Sequence, residues 1–154
     1  MLREVKFHDV NDVFGEFSAF APYPIGLEGK TWPTIEHYFQ AHRFDSEKLK
    51  EEIRRARSPR EAAEIARAQR EKQRRDWNRI KVETMREALA AKFRQHPSLM
   101  ALLLGTGTSV IREHTLDDDY WGDGGDGCGK NMMGLLLMEI REELARSLKD
   151  YRAS

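Results

Sequence analysis

The chain has 154 residues and no formal net charge, because 26 Lys and Arg residues balance 26 Asp and Glu residues. This length suits one domain with a sizeable core, and we expect a single domain over residues 1–154. The balance excludes a chain-wide attraction to nucleic acid or to an anionic membrane. No stretch approaches the roughly 20 apolar residues of a membrane span, and the first residues lack the apolar core of a signal peptide. We therefore expect a cytoplasmic protein, which the lone Cys128 fits.

The first predicted elements, in residues 4–32, are short strands and turns. Ile25 and Leu27 alternate with polar or small residues before a Glu28-Gly29 turn, and the chain then returns through Trp32. This pattern predicts a small antiparallel hairpin.

A helix is predicted next, in the stretch Gly29–Phe44, GKTWPTIEHYFQAHRF. Thr34 is a favoured N-cap, so the helix should begin at Ile35. Glu36 then lies in the first turn, among aromatic residues and His37. A carboxylate in this position either complements the helix dipole or takes part in chemistry, and the local pattern leaves both interpretations open.

Four further helices follow in the predicted order. The first covers about residues 45–57, the next starts after an N-cap at Ser58, a long one follows a predicted cap at Asp76, and a short one covers residues 99–104. A brief strand is predicted at residues 110–111. The C-terminal helix is predicted to bury Met133, Leu137, Ile140, Leu144 and Leu148. The fold class is therefore α+β and predominantly α-helical, with five to six helices around a small antiparallel β element.

Residues 54–75 carry nine basic and three acidic residues, which makes this segment locally positive in a neutral chain. A solvated helix face is the usual explanation of such a run. Alternatively, two or three of its Arg residues clamp a phosphate, since guanidinium groups suit bidentate phosphate contacts. Arg67 and Arg74 are our candidates for that role.

The second informative stretch, residues 114–131, is a glycine-rich loop that holds five Asp and five Gly around Tyr120 and Trp121. Residues 124–130 match G-x-x-x-x-G-K, but Asn131 stands where a phosphate-binding loop needs Ser or Thr, and the Asp residues would repel a triphosphate. The Asp spacing also fails the calcium-loop pattern. A small-molecule site and a polar surface loop both remain open.

Six blocks of the chain, in the same order, resemble the YbiA/NADAR family. They are FGEFSAF (Phe14–Phe20), GKTWPTIEHYFQA (Gly29–Ala41), SPREA (Ser58–Ala62), RRDWNRIKVETM (Arg74–Met85), LLLGTG (Leu102–Gly107) and DDYWGDGGDGCGKNMMG (Asp118–Gly134). The resemblance implies a YbiA-like fold and hydrolysis of N-glycosidic bonds. Stand-alone bacterial members resemble enzymes that split ribosylamino-pyrimidine 5′-phosphates of early riboflavin biosynthesis, as metabolite damage control. The products are ribose 5-phosphate and an aminopyrimidine.

The resemblance also implies roles for individual residues. Glu36 would be the general base or would stabilise the oxocarbenium-like sugar, and Asp118 would bind sugar hydroxyls or orient water. Lys81 is a candidate for a Schiff base with an opened ribosylamine. The predicted substrate-binding residues are Trp32, His37, Arg67, Arg74, Trp77, Tyr120, Trp121, Gly122, Asp123, Lys130 and Asn131. We predict no metal and no cofactor, because the five His are scattered and His37 has no His or Cys at ligand spacing.

Three positions depart from the family pattern: Ala19 replaces Asn, Ala66 replaces Gly and Arg43 replaces Lys. If that Lys does chemistry in relatives, Arg43 cannot replace it as a nucleophile, because a guanidinium stays protonated.

Three functions are therefore compared. The first is the N-glycosidase, acting on a phosphorylated small-molecule N-riboside. The second, also implied by the family, is removal of ADP-ribose from guanine bases in nucleic acid. The third is a non-enzymatic nucleic-acid-binding module that uses residues 54–75, although that segment has few aromatics for base stacking. No membrane partner is expected, and the oligomeric state stays open.

Overall fold

The computed structural model describes residues 3–153, in which six α-helices and four β-strands lie. The helices are α1 (Ile35–Ala41), α2 (Glu47–Arg54), α3 (Pro59–Ala68), α4 (Trp77–Gln95), α5 (Pro97–Gly105) and α6 (Met132–Ala153). The strands are β1 (Glu4–Phe7), β2 (Ile25–Leu27), β3 (Lys30–Trp32) and β4 (Val110–Glu113). Short 3-10 helices cover Gly15–Phe17 and Arg70–Lys72. The predicted fold class, α+β with a majority of helix, is confirmed. None of the described helices is long and apolar enough to cross a membrane.

The β structure consists of two separate pairs of strands. β2 and β3 form the predicted antiparallel hairpin, with Ile25 opposite Trp32. Glu28 and Gly29 make its turn with φ of 57° and 72°. β1 and β4 pair in parallel, with Val5 opposite Ile111. The expectation of one antiparallel element is therefore incomplete, because parallel strands need no connecting hairpin and leave no local turn signal.

Residues 19–95 form one of two compact units of the chain. In this unit α1 packs against α2, α3 and α4, and all seven residues of α1 are buried. Ile35 and Phe39 of α1, Ile53 of α2 and Leu89 of α4 belong to its core. The side chain of Gln95 fixes the hairpin to the end of α4, because it accepts from Gly26 N at 2.8 Å and donates to Gly26 O at 2.9 Å.

The described residues outside that range, 3–18 and 96–153, make up the second unit. Here the β1–β4 pair and α5 pack against α6 through apolar side chains. The core side chains include Phe7, Leu103, Ile111, Leu137 and Ile140. Each such burial contributes roughly 1.5–3 kcal/mol relative to exposure. The prediction that Leu148 is buried is wrong, because it lies in the last turns of α6 with 39% of its surface exposed. The single-domain organisation stays a prediction.

The helix starts follow from side chains that bond to the backbone. Thr34 accepts from His37 N at 3.2 Å, and Ser58 accepts from Glu61 N at 3.0 Å, as predicted. Asp76 precedes α4, as predicted, but its carboxylate binds the guanidinium groups of Arg74 and Arg79. The Asp76 carboxylate therefore pairs with two guanidinium groups, whereas the sequence predicted that it would cap α4.

Candidate functional site

Glu36 lies in the first turn of α1, and its side chain is buried with 9% of the residue exposed. Its backbone N donates to Ala19 O at 3.1 Å, and its Oε2 accepts from Gln40 Nε2 at 3.2 Å. Gln40 lies one turn further along the same helix, so the spacing of four residues brings the amide to the carboxylate. The structure thus places a buried carboxylate at a helix start, where the dipole favours its ionised form.

Arg43 follows the end of α1 and carries a half-buried guanidinium. This group lies 5.6 Å from the Phe39 ring centroid and 5.2 Å from that of Trp77, and its Nη1 donates to Gln73 Oε1 at 2.8 Å. Burial lowers the pKa of Arg43, and the negative charge of Glu36 partly opposes that shift. The guanidinium is therefore a fixed cation that interacts electrostatically with the Glu36 carboxylate.

A cavity of about 230 Å³ lies beside this cation. We call it the arginine cavity; its lining residues are Gln40, Arg43, Ala63, Ala66, Arg67 and Arg70. Two of the three departures from the family pattern, Arg43 and Ala66, line this cavity. Arg67 was predicted to bind substrate, whereas Arg70 was missed because nothing in the basic run distinguished it.

Arg74, the other predicted phosphate ligand, is already bound to carboxylates. Its Nε and Nη2 donate to the two oxygens of Asp76 at 2.9 and 3.0 Å, and its Nε lies 3.7 Å from Asp45. These hydrogen bonds raise the pKa of Arg74 and lower that of Asp76. The contacts favour a structural role for Arg74 over the predicted contact with phosphate.

The aromatic and His residues of the range 19–95 that were predicted to bind substrate, Trp32, His37 and Trp77, are all buried. Trp32 is 2% exposed and donates from Nε1 to Leu27 O at 3.0 Å. Trp77 is equally buried, and its ring packs on Phe39 with centroids 4.9 Å apart. Both are therefore core residues in the structure, and their predicted contact with substrate stays a prediction.

His37 is also buried, and both of its ring nitrogens have partners. Nε2 lies 3.0 Å from Ala56 O, and Nδ1 lies 2.8 Å from Thr34 Oγ1. Burial lowers the pKa of His37, although the Ala56 hydrogen bond and the Glu61 charge oppose the shift. In the neutral ring Nε2 must donate to the carbonyl, so Nδ1 accepts from the Thr34 hydroxyl. His37 therefore holds α1 to the segment after α2, which favours a structural role over the predicted contact with substrate.

Two lysines of α4 bear on the predicted Schiff-base route. Lys81, the predicted amine, is half-buried, and its Nζ lies 3.5 Å from Asn78 Oδ1. Lys92, which sequence reasoning missed, is only 1% exposed, and its Nζ lies 5.6 Å from the ring centroids of Tyr23 and Phe93. Its place on the buried face of α4 was the available signal, but lysines at such positions usually extend to solvent.

The carboxylates of the glycine-rich loop bind the backbone of the loop itself. Asp118 Oδ1 accepts from Tyr120 N at 2.9 Å and from Trp121 N at 2.8 Å. Asp123 is 1% exposed; its Oδ1 accepts from Gly125 N at 2.9 Å, and its Oδ2 lies 3.0 Å from His114 Nδ1. Burial alone would raise the pKa of Asp123, but the hydrogen bonds from His114 and the backbone outweigh it, and the pKa is lowered.

Gly122 and Asn131 connect this loop closely to β4. A Cβ on Gly122 would lie 2.4 Å from Thr115 Cγ2 and 2.9 Å from Glu113 O, so only glycine fits. Asn131 has φ of 53°, donates from Nδ2 to Ile111 O at 2.8 Å and accepts at Oδ1 from Glu113 N at 3.0 Å. The predicted contacts of Gly122, Asp123 and Asn131 with substrate stay predictions, since all three are buried and shape the loop.

A second cavity, of about 660 Å³, opens on this loop. Lys130 and Tyr120 line it, and the Lys130 Nζ lies 5.4 Å from the Tyr120 ring centroid. Trp121 is half-buried beside Tyr120, with ring centroids 5.1 Å apart. Cys128 also lines the cavity and is exposed. Within residues 3–153 no group of three His, Cys, Asp or Glu side chains is arranged to hold a metal ion.

Comparison with known proteins identifies the family of the chain. A family model described as NADAR domain matches residues 6–145. N-glycosidase YbiA of Escherichia coli is 53% identical over 141 residues, which cover 92% of this chain and 88% of that protein. The NMR structure of E. coli YbiA superposes with a TM-score of 0.88 at 51% identity, covering 96% of this chain and 88% of that one. Riboflavin biosynthesis protein PYRR of Zea mays is 39% identical over 155 residues, 91% of this chain but 25% of that protein. The chain belongs to the NADAR domain family.

Proposed function

We propose that this protein is a hydrolase of N-glycosyl bonds that acts on ribosylamino-pyrimidine 5′-phosphates of early riboflavin biosynthesis. The class of reaction is supported by relatives named N-glycosidase that align over most of their length. The substrate is supported by the relatives named as riboflavin biosynthesis proteins. The observation that carries the proposal is the buried Glu36 carboxylate, which contacts Gln40 and interacts electrostatically with Arg43.

These groups match what hydrolysis of an N-riboside requires. As the bond between C1 of the ribose and the amine nitrogen breaks, positive charge develops on the sugar, and a nearby carboxylate stabilises it. Glu36 accepts a proton from the attacking water, whose oxygen bonds to C1, and the same proton then passes from Glu36 to the nitrogen of the leaving amine. The products are ribose 5-phosphate and the aminopyrimidine. In this scheme Gln40 orients the Glu36 carboxylate.

A covalent route through Lys81 is the alternative mechanism for the same reaction. An opened ribosylamine is an imine, and a lysine amine that attacks it forms a Schiff base and releases the aminopyrimidine; water then hydrolyses the Schiff base to ribose 5-phosphate and the free lysine. Borohydride added during turnover reduces such a Schiff base to a stable adduct, which mass spectrometry locates on Lys81. If no adduct forms and Lys81→Met retains activity, direct attack by water is the mechanism.

The substrate is tested by incubating the purified protein with the ribosylamino-pyrimidine 5′-phosphates and, in parallel, with ADP-ribosylated guanosine. We expect release of ribose 5-phosphate from the former. Cleavage of the guanine adduct alone would contradict the riboflavin assignment and favour removal of ADP-ribose. Binding of DNA or RNA that weakens steeply with salt, without turnover of either compound, would favour the nucleic-acid-binding module.

A further inference from the structure

We infer that the arginine cavity is an oxyanion subsite that takes the terminal phosphate of the substrate, with Arg43 as its anchoring residue. This inference rests on the proposed function, since it names the part of the substrate that the cavity binds. Arg43, Arg67 and Arg70 supply the charged groups of the lining, and no carboxylate belongs to it. An uncharged sugar would leave the guanidinium groups of Arg67 and Arg70 without a counter-charge, whereas a phosphate dianion matches them.

Arg43 carries a hydrogen-bond donor, Nε, that no described residue satisfies. Its Nε is buried from solvent and has no hydrogen-bond partner among residues 3–153. Nearly all buried polar atoms in proteins have a partner, so an exception of this kind calls for an explanation. A ligand oxygen at Nε would supply the missing bond, and because donor and acceptor are both charged, the bond would be short and strong.

Contacts within the protein already hold the Arg43 guanidinium in place. Nη1 is fixed by Gln73, and the planar group lies over the rings of Phe39 and Trp77. A long side chain that is already immobilised loses little entropy when it binds, so the affinity of the site benefits. Arg at this position, in place of the Lys of the family pattern, also offers a planar fork that suits two phosphate oxygens.

Several arginines of the basic segment outside the cavity already have a carboxylate partner. Arg54 and Arg55 bind Glu51 and lower the pKa of its carboxyl to about 2. Arg60 pairs with Glu64, with Nε and Oε1 3.4 Å apart. These cations are neutralised within the protein.

In the described part of the chain, by contrast, neither Arg67 nor Arg70 forms an ion pair or a side-chain hydrogen bond. Arg57, Lys72 and Arg75 likewise form no side-chain ion pair among these residues, but they do not line the cavity, so Arg67 and Arg70 are the cations that bring unpaired positive charge to it beside Arg43. In this inference Arg43 and Arg70 join the predicted Arg67 as ligands of the phosphate, and the predicted role of Arg74 stays a prediction.

The subsite is tested by isothermal titration of the protein with ribose 5-phosphate, inorganic phosphate and unphosphorylated ribose at one fixed ionic strength. Arg43→Gln should weaken binding of ribose 5-phosphate by about tenfold or more, the scale of a lost charged hydrogen bond. Arg70→Gln, at an exposed position, should weaken it by about threefold. Binding of ribose should not change in either variant.

Arg60→Gln is the matched control, since it removes an exposed charge from the same helix as Arg67 and should leave the affinity within about twofold of wild type. Arg43→Lys retains the charge and loses Nε, so an affinity between those of wild type and Arg43→Gln supports the anchoring role of that atom. Equal weakening by Arg60→Gln and Arg70→Gln would overturn the inference, because it would show a diffuse effect of charge. If Arg43→Gln does not fold by circular dichroism, Arg70→Gln and Arg43→Lys decide.

The two proposals fail in different ways. If the protein binds ribose 5-phosphate through these arginines but releases no product from the ribosylamino-pyrimidines, the subsite stands and the proposed function is wrong. If the phosphorylated and dephosphorylated pyrimidine ribosides are hydrolysed with equal kcat/KM, the proposed reaction stands and the subsite is wrong.

Discussion

The start of α1 and the glycine-rich loop of residues 114–131 both combine carboxylates with aromatic residues, yet their polar groups have different partners. In α1, Glu36 is bonded to a side chain, that of Gln40, and Arg43 keeps a buried Nε with no partner among the described residues. In the loop, Asp118 and Asp123 accept hydrogen bonds from backbone N–H groups. The two regions show that carboxylates beside aromatic residues in the sequence can have different partners in the fold, a side-chain amide for Glu36 and backbone N–H groups for Asp118 and Asp123.

The comparison predicts that substitutions in the two regions change different quantities. In the first region, removing a functional atom should lower turnover and leave the stability nearly unchanged. In the loop, the same kind of change should lower the free energy of unfolding, because buried donors and acceptors lose their partners.

Glu36→Gln should give the largest effect, a fall in kcat of at least about 100-fold, the scale of a lost general base. The amide has nearly the same shape as the carboxylate, so the melting temperature should stay close to wild type. Release of ribose 5-phosphate measures kcat, and thermal unfolding measures stability. Glu47→Gln is the matched control, because Glu47 is also a first-turn glutamate but 77% of its side chain is exposed. Near-normal turnover in folded Glu36→Gln would remove Glu36 from the chemistry.

Asn131→Ala should destabilise the protein by about 2–4 kcal/mol, since Ile111 O and Glu113 N both lose a partner. Urea unfolding measures the change. Asn131→Gly separates two causes, because glycine tolerates the φ of 53° but also lacks the amide. A stability of Asn131→Gly equal to that of wild type would show that only the backbone conformation matters and that the amide bonds do not.

Asp123 should make the stability of the loop depend on pH in the acidic range. Its pKa in the folded state is below its usual value of 3.8, so its ionised form stabilises the fold above that pH. This contribution is lost as the pH falls through the folded pKa. Asp123→Asn should therefore cost about 1–3 kcal/mol at neutral pH and less at about pH 2.

Urea unfolding of wild type and Asp123→Asn at several pH values tests this dependence. Asp126→Asn is the control, because Asp126 belongs to the same loop but is exposed and accepts from Cys128 N at 2.9 Å. A difference between wild type and Asp123→Asn that does not shrink in acid would contradict the assigned role of the ionised carboxylate.

The features that the sequence predicted correctly depend on neighbours a few residues away. The caps at Thr34 and Ser58 bond to N–H groups three residues further on, and the hairpin turn at Glu28-Gly29 is equally local. The parallel pairing of β1 with β4 was not predicted, because it joins distant segments. The roles of the predicted site residues stay predictions, but their positions are now known.

The burial of the predicted site residues could not be read from the sequence. Trp32 and Trp77 are core residues, and an aromatic next to a carboxylate has the same sequence pattern in a core and in a pocket. Their predicted contact with substrate stays a prediction. The burial of Lys92 and the unsatisfied Nε of Arg43 depend on packing between distant segments. No periodicity or spacing in the sequence reports such packing.

Thr34→Ala and Ser58→Ala should give the smallest effect on stability, and the pair tests whether the start of α1 has a role in turnover that the start of α3 lacks. Each removes an N-cap hydroxyl that accepts from an N–H three residues on, so each should cost about 1 kcal/mol in the free energy of unfolding. Thr34 begins α1, two residues before Glu36, and its hydroxyl also contacts His37 Nδ1. Ser58 begins α3. Loss of the Thr34 cap should therefore loosen the first turn that positions Glu36, and kcat should fall severalfold in Thr34→Ala but stay near wild type in Ser58→Ala. If the two variants lose the same stability and have the same kcat, the Thr34 cap has no special role in turnover.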